Sequence, residues 1–149
     1  MERLAVILLV DEHGSVLLQE RDEGAPRAPD QWGMVGGHVE DGEEFEAAAY
    51  RELEEETGLR LQPGELTLCI EAEFTYPDGY HGSYHVYGAH TRLTDDDIVV
   101  GEGRQIVFVP PEDIPGLDLA DSTREFLPQF LASDFYRALR DADGAHPTQ

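Results

Sequence analysis

The stretch GHVEDGEEFEAAAYRELEEETGL, residues 37–59, decides how the chain is read. It opens on glycine and acid, passes through an alanine-rich segment of helical character, and closes on RELEEETGL. Glu52, Glu55 and Glu56 stand at i, i+3 and i+4, which share one side of a helix. Oxygen-rich groups of this kind suit hard divalent cations such as Mg²⁺, whereas an ordinary acidic run is a solvated face. Phase bears on the choice. At about 100° per residue from Phe45, Ala49 falls at about 40°, Glu52 at about 340° and Glu56 at about 20°, while Glu54 points about 180° away. Glu55 and Leu53 flank the stripe. A solvated face would set its acids opposite Phe45 and Ala49, so Glu52 and Glu56 are expected to aim into the fold.

On either side of this helix the boundaries are legible. Asp41-Gly42-Glu43-Glu44 predicts a turn and a helix start, with acids where the helix dipole favours them. Gly58 is a natural left-handed stop. Upstream, Trp32 to Val35 reads as a short extended piece running into Gly36-Gly37, two glycines that permit close backbone approach or positive φ. Residues 21–31, RDEGAPRAPDQ, form a loop. Arg21 and Arg27 within it have the planar forks that bind phosphate, or pair with Asp22 or Asp30 on the surface. Trp32 offers a stacking face for a base or a piece of core.

Leu4 to Val10 is a continuous apolar run, typical of a strand buried on both faces, and Asp11-Glu12-His13-Gly14 turns it into a second strand, Val16 to Gln19. Residues 65–76 and 80–91 alternate as strands around the turn Pro77-Asp78-Gly79. Tyr76 and, on the return strand, Tyr80, His81, Tyr84, His85 and Tyr87 are candidate contacts for a base or sugar, against ordinary strand faces, with Tyr76 and Tyr84 favoured. Asp95-Asp96-Asp97 lacks the ligand alternation of a calcium loop and reads as solvated. Gly101-Glu102-Gly103 precedes the strand Gln105 to Val109, and Glu102 is either part of a plain turn or an acid carried by a mobile backbone to a reaction centre. Ser122 to Arg140 is mostly helical, with Pro128 expected to kink it or begin its second part. Residues 1–140 read as a single domain and 141–149 as a frayed polar tail.

The net charge of −22, with ten arginines and no lysine, gives no basic footprint, so duplex nucleic acid and an anionic membrane are not expected partners. A small phosphorylated substrate remains compatible, because a cation bridges acids to phosphate oxygens. The single Cys69, in an apolar alternating run that suggests a buried thiol, fits a reducing compartment, and a cytoplasmic location is expected. Arg3 with Leu4 to Val10 imitates a signal peptide only faintly, without a cleavage site, and nothing approaches the roughly 20 apolar residues of a membrane span.

The opening stretch resembles the Nudix box: Gly, five residues, Glu, seven residues, Arg-Glu, aliphatic, any, Glu-Glu, any, Gly, aliphatic. Gly37, Glu43, Arg51-Glu52-Leu53, Glu55-Glu56, Gly58 and Leu59 fill every fixed position. The resemblance implies an α/β fold, a Nudix-type α/β/α sandwich with a mixed sheet between helices, and Mg²⁺- or Mn²⁺-dependent hydrolysis of a nucleoside diphosphate linked to another group X. It implies Glu52 and Glu56 as principal metal ligands, Glu55 contributing directly or through water, and the Gly36 carbonyl as a further ligand. Arg51 and Glu43 would orient the carboxylates, and Glu102 is similar to a loop glutamate that serves relatives as base or extra ligand. Val35 departs from the family, many members of which have Pro there. Nucleoside triphosphates, ADP-ribose, nucleotide sugars, dinucleoside polyphosphates and capped RNA are all candidate substrates, with a small nucleotide favoured. A non-catalytic nucleotide sensor and an acidic protein-interaction domain are the alternatives. Dimers are common in the family, so a homodimer is compatible.

Overall fold

In the computed structural model, which describes residues 1–142 of the 149, six strands form one mixed sheet. They are β1 (Glu2–Val10), β2 (Val16–Glu20), β3 (Trp32–His38), β4 (Thr67–Thr75), β5 (His81–His90) and β6 (Gln105–Val109). Their order is β4-β5-β1-β3-β2-β6. Only the β1–β5 pair is parallel; the other pairs are antiparallel. The tail expected over 141–149 lies outside the described residues from 143 onward.

The apolar run of β1 is central because it is buried on both faces. Ala5, Ile7 and Leu9 pack with Val35, Ala48, Ala49 and Leu53, beneath helix α1 (Phe45–Thr57). Val6, Leu8 and Val10 pack with Phe126, Leu127, Phe130 and Tyr136, beneath α2 (Asp121–Leu131) and α3 (Asp134–Arg140). The expected sandwich is therefore present.

Helix α1 ends as predicted: Gly58 adopts φ 77° and its N–H donates to the Glu54 carbonyl. Its start also falls as predicted, directly after Glu44 and with Glu46 in the first turn, but no side chain caps it. Glu44 at the N-cap makes no side-chain capping bond, and Glu43 instead accepts from the Glu40 N–H at 2.9 Å and reaches across to Arg51. Pro128 does not divide the C-terminal helical segment; α2 runs through it, and the break falls at Ala132-Ser133. Pro128 is exposed, where solvent satisfies the carbonyl left without its N–H. Ser133 caps the next helix, accepting from the Tyr136 N–H, which is the usual role of serine at that position. Cys69 is half-buried at a bulge in β4 rather than fully buried. Asp95–Asp97 forms an exposed 3₁₀ turn closed by a Thr94–Asp97 capping box.

Candidate active site

The site forms where α1 crosses the end of β3. Gly36 has φ 141°, and a Cβ there would lie 2.3 Å from the Ala5 carbonyl oxygen, so the glycine lets β3 run close beside β1. At Gly37 a Cβ would lie 2.7 Å from the Glu52 carboxylate. The Gly36 N–H donates to Glu56 Oε1 at 3.0 Å. Paired glycines thus allow two carboxylates of α1 to reach the strand backbone, as the helical phase anticipates. Glu56 is 7% exposed and Leu53 wholly buried, whereas Glu54 turns outward to Arg60.

Arg51 holds the acidic end together. Its Nε and Nη2 donate to the two oxygens of Glu43 at 2.8 and 2.9 Å, its Nη1 to Glu52 at 2.9 Å, and its Nη2 also to the His38 carbonyl. Glu55 is largely exposed and meets Arg51 Nη1 at 3.3 Å. Glu55 still bears on Glu52 and raises its carboxyl, while Glu56 feels both Glu52 and the loop carboxylate Glu102.

That loop is hydrogen-bonded on both sides of Glu102. The Val99 and Gly101 N–H groups donate to the Thr57 and Glu56 carbonyls at 2.9 and 2.8 Å, satisfying acceptors that a helix end leaves open. Gln19 Nε2 donates to the Glu102 carbonyl at 2.8 Å. Arg104 fixes the far side through Glu20, Glu23 and Asp30.

Electrostatics distinguish the acids. Burial pushes the Glu56 carboxyl up to about 8, against the lowering effect of the Gly36 N–H, with Glu52 and Glu102 adding to the rise. Burial also raises Glu52, despite Arg51. Glu43 is held down at about 2 by its hydrogen bonds to Arg51 and then by the Glu40 N–H. Among the described residues, no three acidic, imidazole or thiol side chains already converge closely enough to hold a metal ion. Glu52 and Glu56 nevertheless fit a divalent cation: both are carboxylates whose charged forms burial disfavours, and a nearby cation would reverse that preference.

Beside the glycines opens a cavity of about 330 Å³, lined by Arg21, Arg27, Gly36, Gly37, Tyr76, Tyr80 and Tyr84 together with residues the sequence did not single out as ligand contacts: His38, Ser122 and Thr123. Arg21 also lines a second cavity of about 290 Å³, on the Glu102 side. Arg27 pairs with Asp78, not with Asp22 or Asp30. Tyr76 is buried, its hydroxyl 2.8 Å from Ser122 Oγ, and Tyr84 is buried beside it. Trp32 is not among the residues lining either cavity; it packs partly buried against the core beneath α2. Tyr80 and His38 join at 2.7 Å. Ser122 lies 46 residues from Tyr76, a separation across which local sequence pattern carries no signal.

A glutamate-bearing helix set against paired glycines at the edge of a cavity, on a mixed sheet between helices, defines a hydrolase class. The NUDIX domain family model matches residues 2–130, and the chain belongs to the Nudix hydrolase family. It is 32% identical over 133 residues to a protein named nucleoside triphosphatase NudI from Escherichia coli O81, covering 85% of this chain and 94% of that one. A MutT NUDIX hydrolase from Burkholderia pseudomallei superposes with a TM-score of 0.72 at 30% identity, covering 86% of this chain and 96% of that one. The MutT protein of Methanosarcina mazei Go1 also gives 0.72, at 22% identity over 97% and 96% of the two chains, a likeness of fold.

Proposed function

We propose that this protein hydrolyses a phosphoanhydride bond in a small nucleotide, with a nucleoside triphosphate as the favoured substrate and Mg²⁺ or Mn²⁺ as cofactor, through a single catalytic unit spanning residues 1–140. The observation that carries the reading is the buried Glu56 carboxylate on the Gly36 N–H, with Glu52 against Gly37, at the edge of a nucleotide-sized cavity. The relative named nucleoside triphosphatase supports the substrate class.

In this mechanism Glu52 and Glu56 would hold the cation, with the Gly36 carbonyl as a further ligand and Glu55 contributing directly or through water. When bound, the cation neutralises phosphate oxygens and lowers the pKa of a water. Arg51, clamped by Glu43, keeps Glu52 oriented. Glu102, on its hydrogen-bonded loop, takes the proton from the attacking water or adds a ligand oxygen. Arg21, half-buried and making no ion pair among the described residues, lies between the two cavities and is placed to steady phosphate. Half-buried Cys69, whose thiol burial pushes up to about 11, is unreactive as a nucleophile. A reducing, cytoplasmic setting completes the reading, and a homodimer is compatible with it. Among the described residues no helix is long and apolar enough to cross a membrane.

The test is a panel of nucleoside diphosphate derivatives in Mg²⁺ and Mn²⁺, assayed for phosphate, diphosphate and nucleoside monophosphate, with wild type, Glu52→Gln and Glu56→Gln. Each variant is expected to lose more than about 100-fold in turnover while keeping its fold by circular dichroism. Full activity in either would overturn the ligand assignment. Tight binding without turnover across the panel would mark a nucleotide sensor instead.

A further inference from the structure

Within the substrate loop the two arginines are in different situations. Arg27 has both terminal nitrogens engaged by Asp78, Nη1 to Oδ1 at 3.3 Å and Nη2 to Oδ2 at 3.1 Å. Asp78 takes one N–H from each terminal nitrogen and matches the charge, so a phosphate would have to compete with a carboxylate for this fork. The flat side of the guanidinium lies against two rings: its Cζ is 3.8 Å from the Tyr80 ring centroid and 4.7 Å from that of Tyr76.

We infer that Arg27 is a specificity-determining residue that fixes the flat, uncharged base of a nucleotide by stacking, leaving the phosphates to other groups. This inference rests on the reading of the protein as a nucleotide hydrolase and adds the orientation of the substrate. The cavity runs from Gly36 and Gly37, where Glu52 and Glu56 approach the strand, to a region of Tyr76, Tyr84, Ser122 and Thr123. No acidic side chain lines it. The hydroxyl groups of that second region are neutral, and each can rotate to donate or accept, so they match the mixed donor and acceptor edge of a ring, while a cation held by Glu52 and Glu56 would draw the phosphates to the glycine end. A nucleotide with its phosphates at the glycine end therefore has its base among the tyrosines and Arg27.

The loop is built to carry Arg27 there. Its base is closed by the Arg21 N–H to the Gln31 carbonyl at 2.8 Å, and Arg21 Nε donates to the Arg27 carbonyl at 2.8 Å. Just beyond Arg27, Ala28 and Asp30 have φ of 52° and 65°, a left-handed conformation that non-glycine residues adopt at some cost. The ion pair with Asp78 ties this strained loop to the β4–β5 turn, so the stack straps one side of the cavity.

Titration calorimetry tests this without relying on turnover. The probes are uridine and adenosine 5′-monophosphates and inorganic diphosphate, each with Mg²⁺, on wild type, Arg27→Ala, Arg27→Lys and Tyr80→Leu. Arg27→Ala is expected to weaken both nucleotides by about tenfold or more, the scale of a lost stacking contact. Its affinity for inorganic diphosphate should stay within about twofold of wild type. Arg27→Lys should not restore nucleotide affinity, because an ammonium keeps the charge and lacks the planar face. Tyr80→Leu leaves the Asp78 pairing in place and should reproduce the selective loss. Equal weakening of diphosphate, full rescue by lysine, unchanged nucleotide affinity in Arg27→Ala, or no saturable nucleotide binding by wild type would each overturn the inference. Failure of the hydrolase reading would show separately, as selective nucleotide binding without turnover.

Discussion

Glu56 is the residue in which burial and charge conflict most sharply. Its folded carboxyl titrates at about 8, against 4.5 ordinarily. Below 4.5 it is protonated in folded and unfolded chains alike. Between 4.5 and about 8 the unfolded chain releases the proton that the folded chain keeps, so stability drains away as pH rises through that window. In chelator-treated protein, Glu56→Gln should therefore melt higher than wild type at pH 8, with the two converging near pH 4.5; parallel melting curves would contradict the assignment. The adjacent glycines separate structure from chemistry. Gly36→Ala places a Cβ against backbone at φ 141° and should cost at least about 1–3 kcal/mol of stability in denaturant titration. Gly37→Ala meets the end of the flexible Glu52 side chain and should keep its fold while losing activity. Glu52, Glu56, Arg51 and Glu43 were legible in the sequence, because helical period and the box spacing both operate over short range. The sharing of Arg51 among Glu43, Glu52 and Glu55 was not, since spacing does not encode which acceptors one guanidinium takes.

At the level of elements, the end of α1 and the 99–103 loop behave as one piece. Two backbone N–H groups of the loop cap the helix carbonyls of Glu56 and Thr57, so the loop that carries Glu102 is placed by the same helix that carries Glu52 and Glu56. A Cβ at Gly101 would lie 2.3 Å from the Glu55 carbonyl oxygen. Gly101→Ala should therefore lift the loop and lower kcat, with a change in thermal midpoint smaller than that of Gly36→Ala; unchanged kcat would show that Glu102 needs no such placement. Strands β1, β2, β5 and β6 follow closely from apolar runs and turn residues. The break after α2 was misplaced at Pro128 because an exposed helix face tolerates the missing donor, while Ser133 supplied the true cap. The tie of Tyr76 to Ser122 joins segments that only the assembled sheet brings together.

On the scale of the whole molecule, the chain of 149 residues carries a net charge of −22. Self-repulsion of that size opposes compaction. Raising NaCl from about 10 mM to about 150 mM shortens the screening length from about 30 Å to about 8 Å and should raise the thermal midpoint of the metal-free protein. A fall would mean that its surface ion pairs outweigh the repulsion. The sandwich architecture was legible through the family resemblance more than through periodicity, because the parallel β1–β5 pairing joins residues some 80 positions apart and local patterns do not reach that far. The central place of β1 was the exception, written in an apolar run with no polar face. One consequence of the assembly concerns Trp32. It is the only tryptophan in the chain, and its backbone is bonded on both sides, from its N–H to the Asp118 carbonyl and from the Ala120 N–H to its own carbonyl, each at 2.8 Å. Ala120 lines the cavity beside the glycines, so the protein carries one built-in fluorophore where the 21–31 loop meets the start of α2, and a change in its emission on adding nucleotide is the expected sign of binding there.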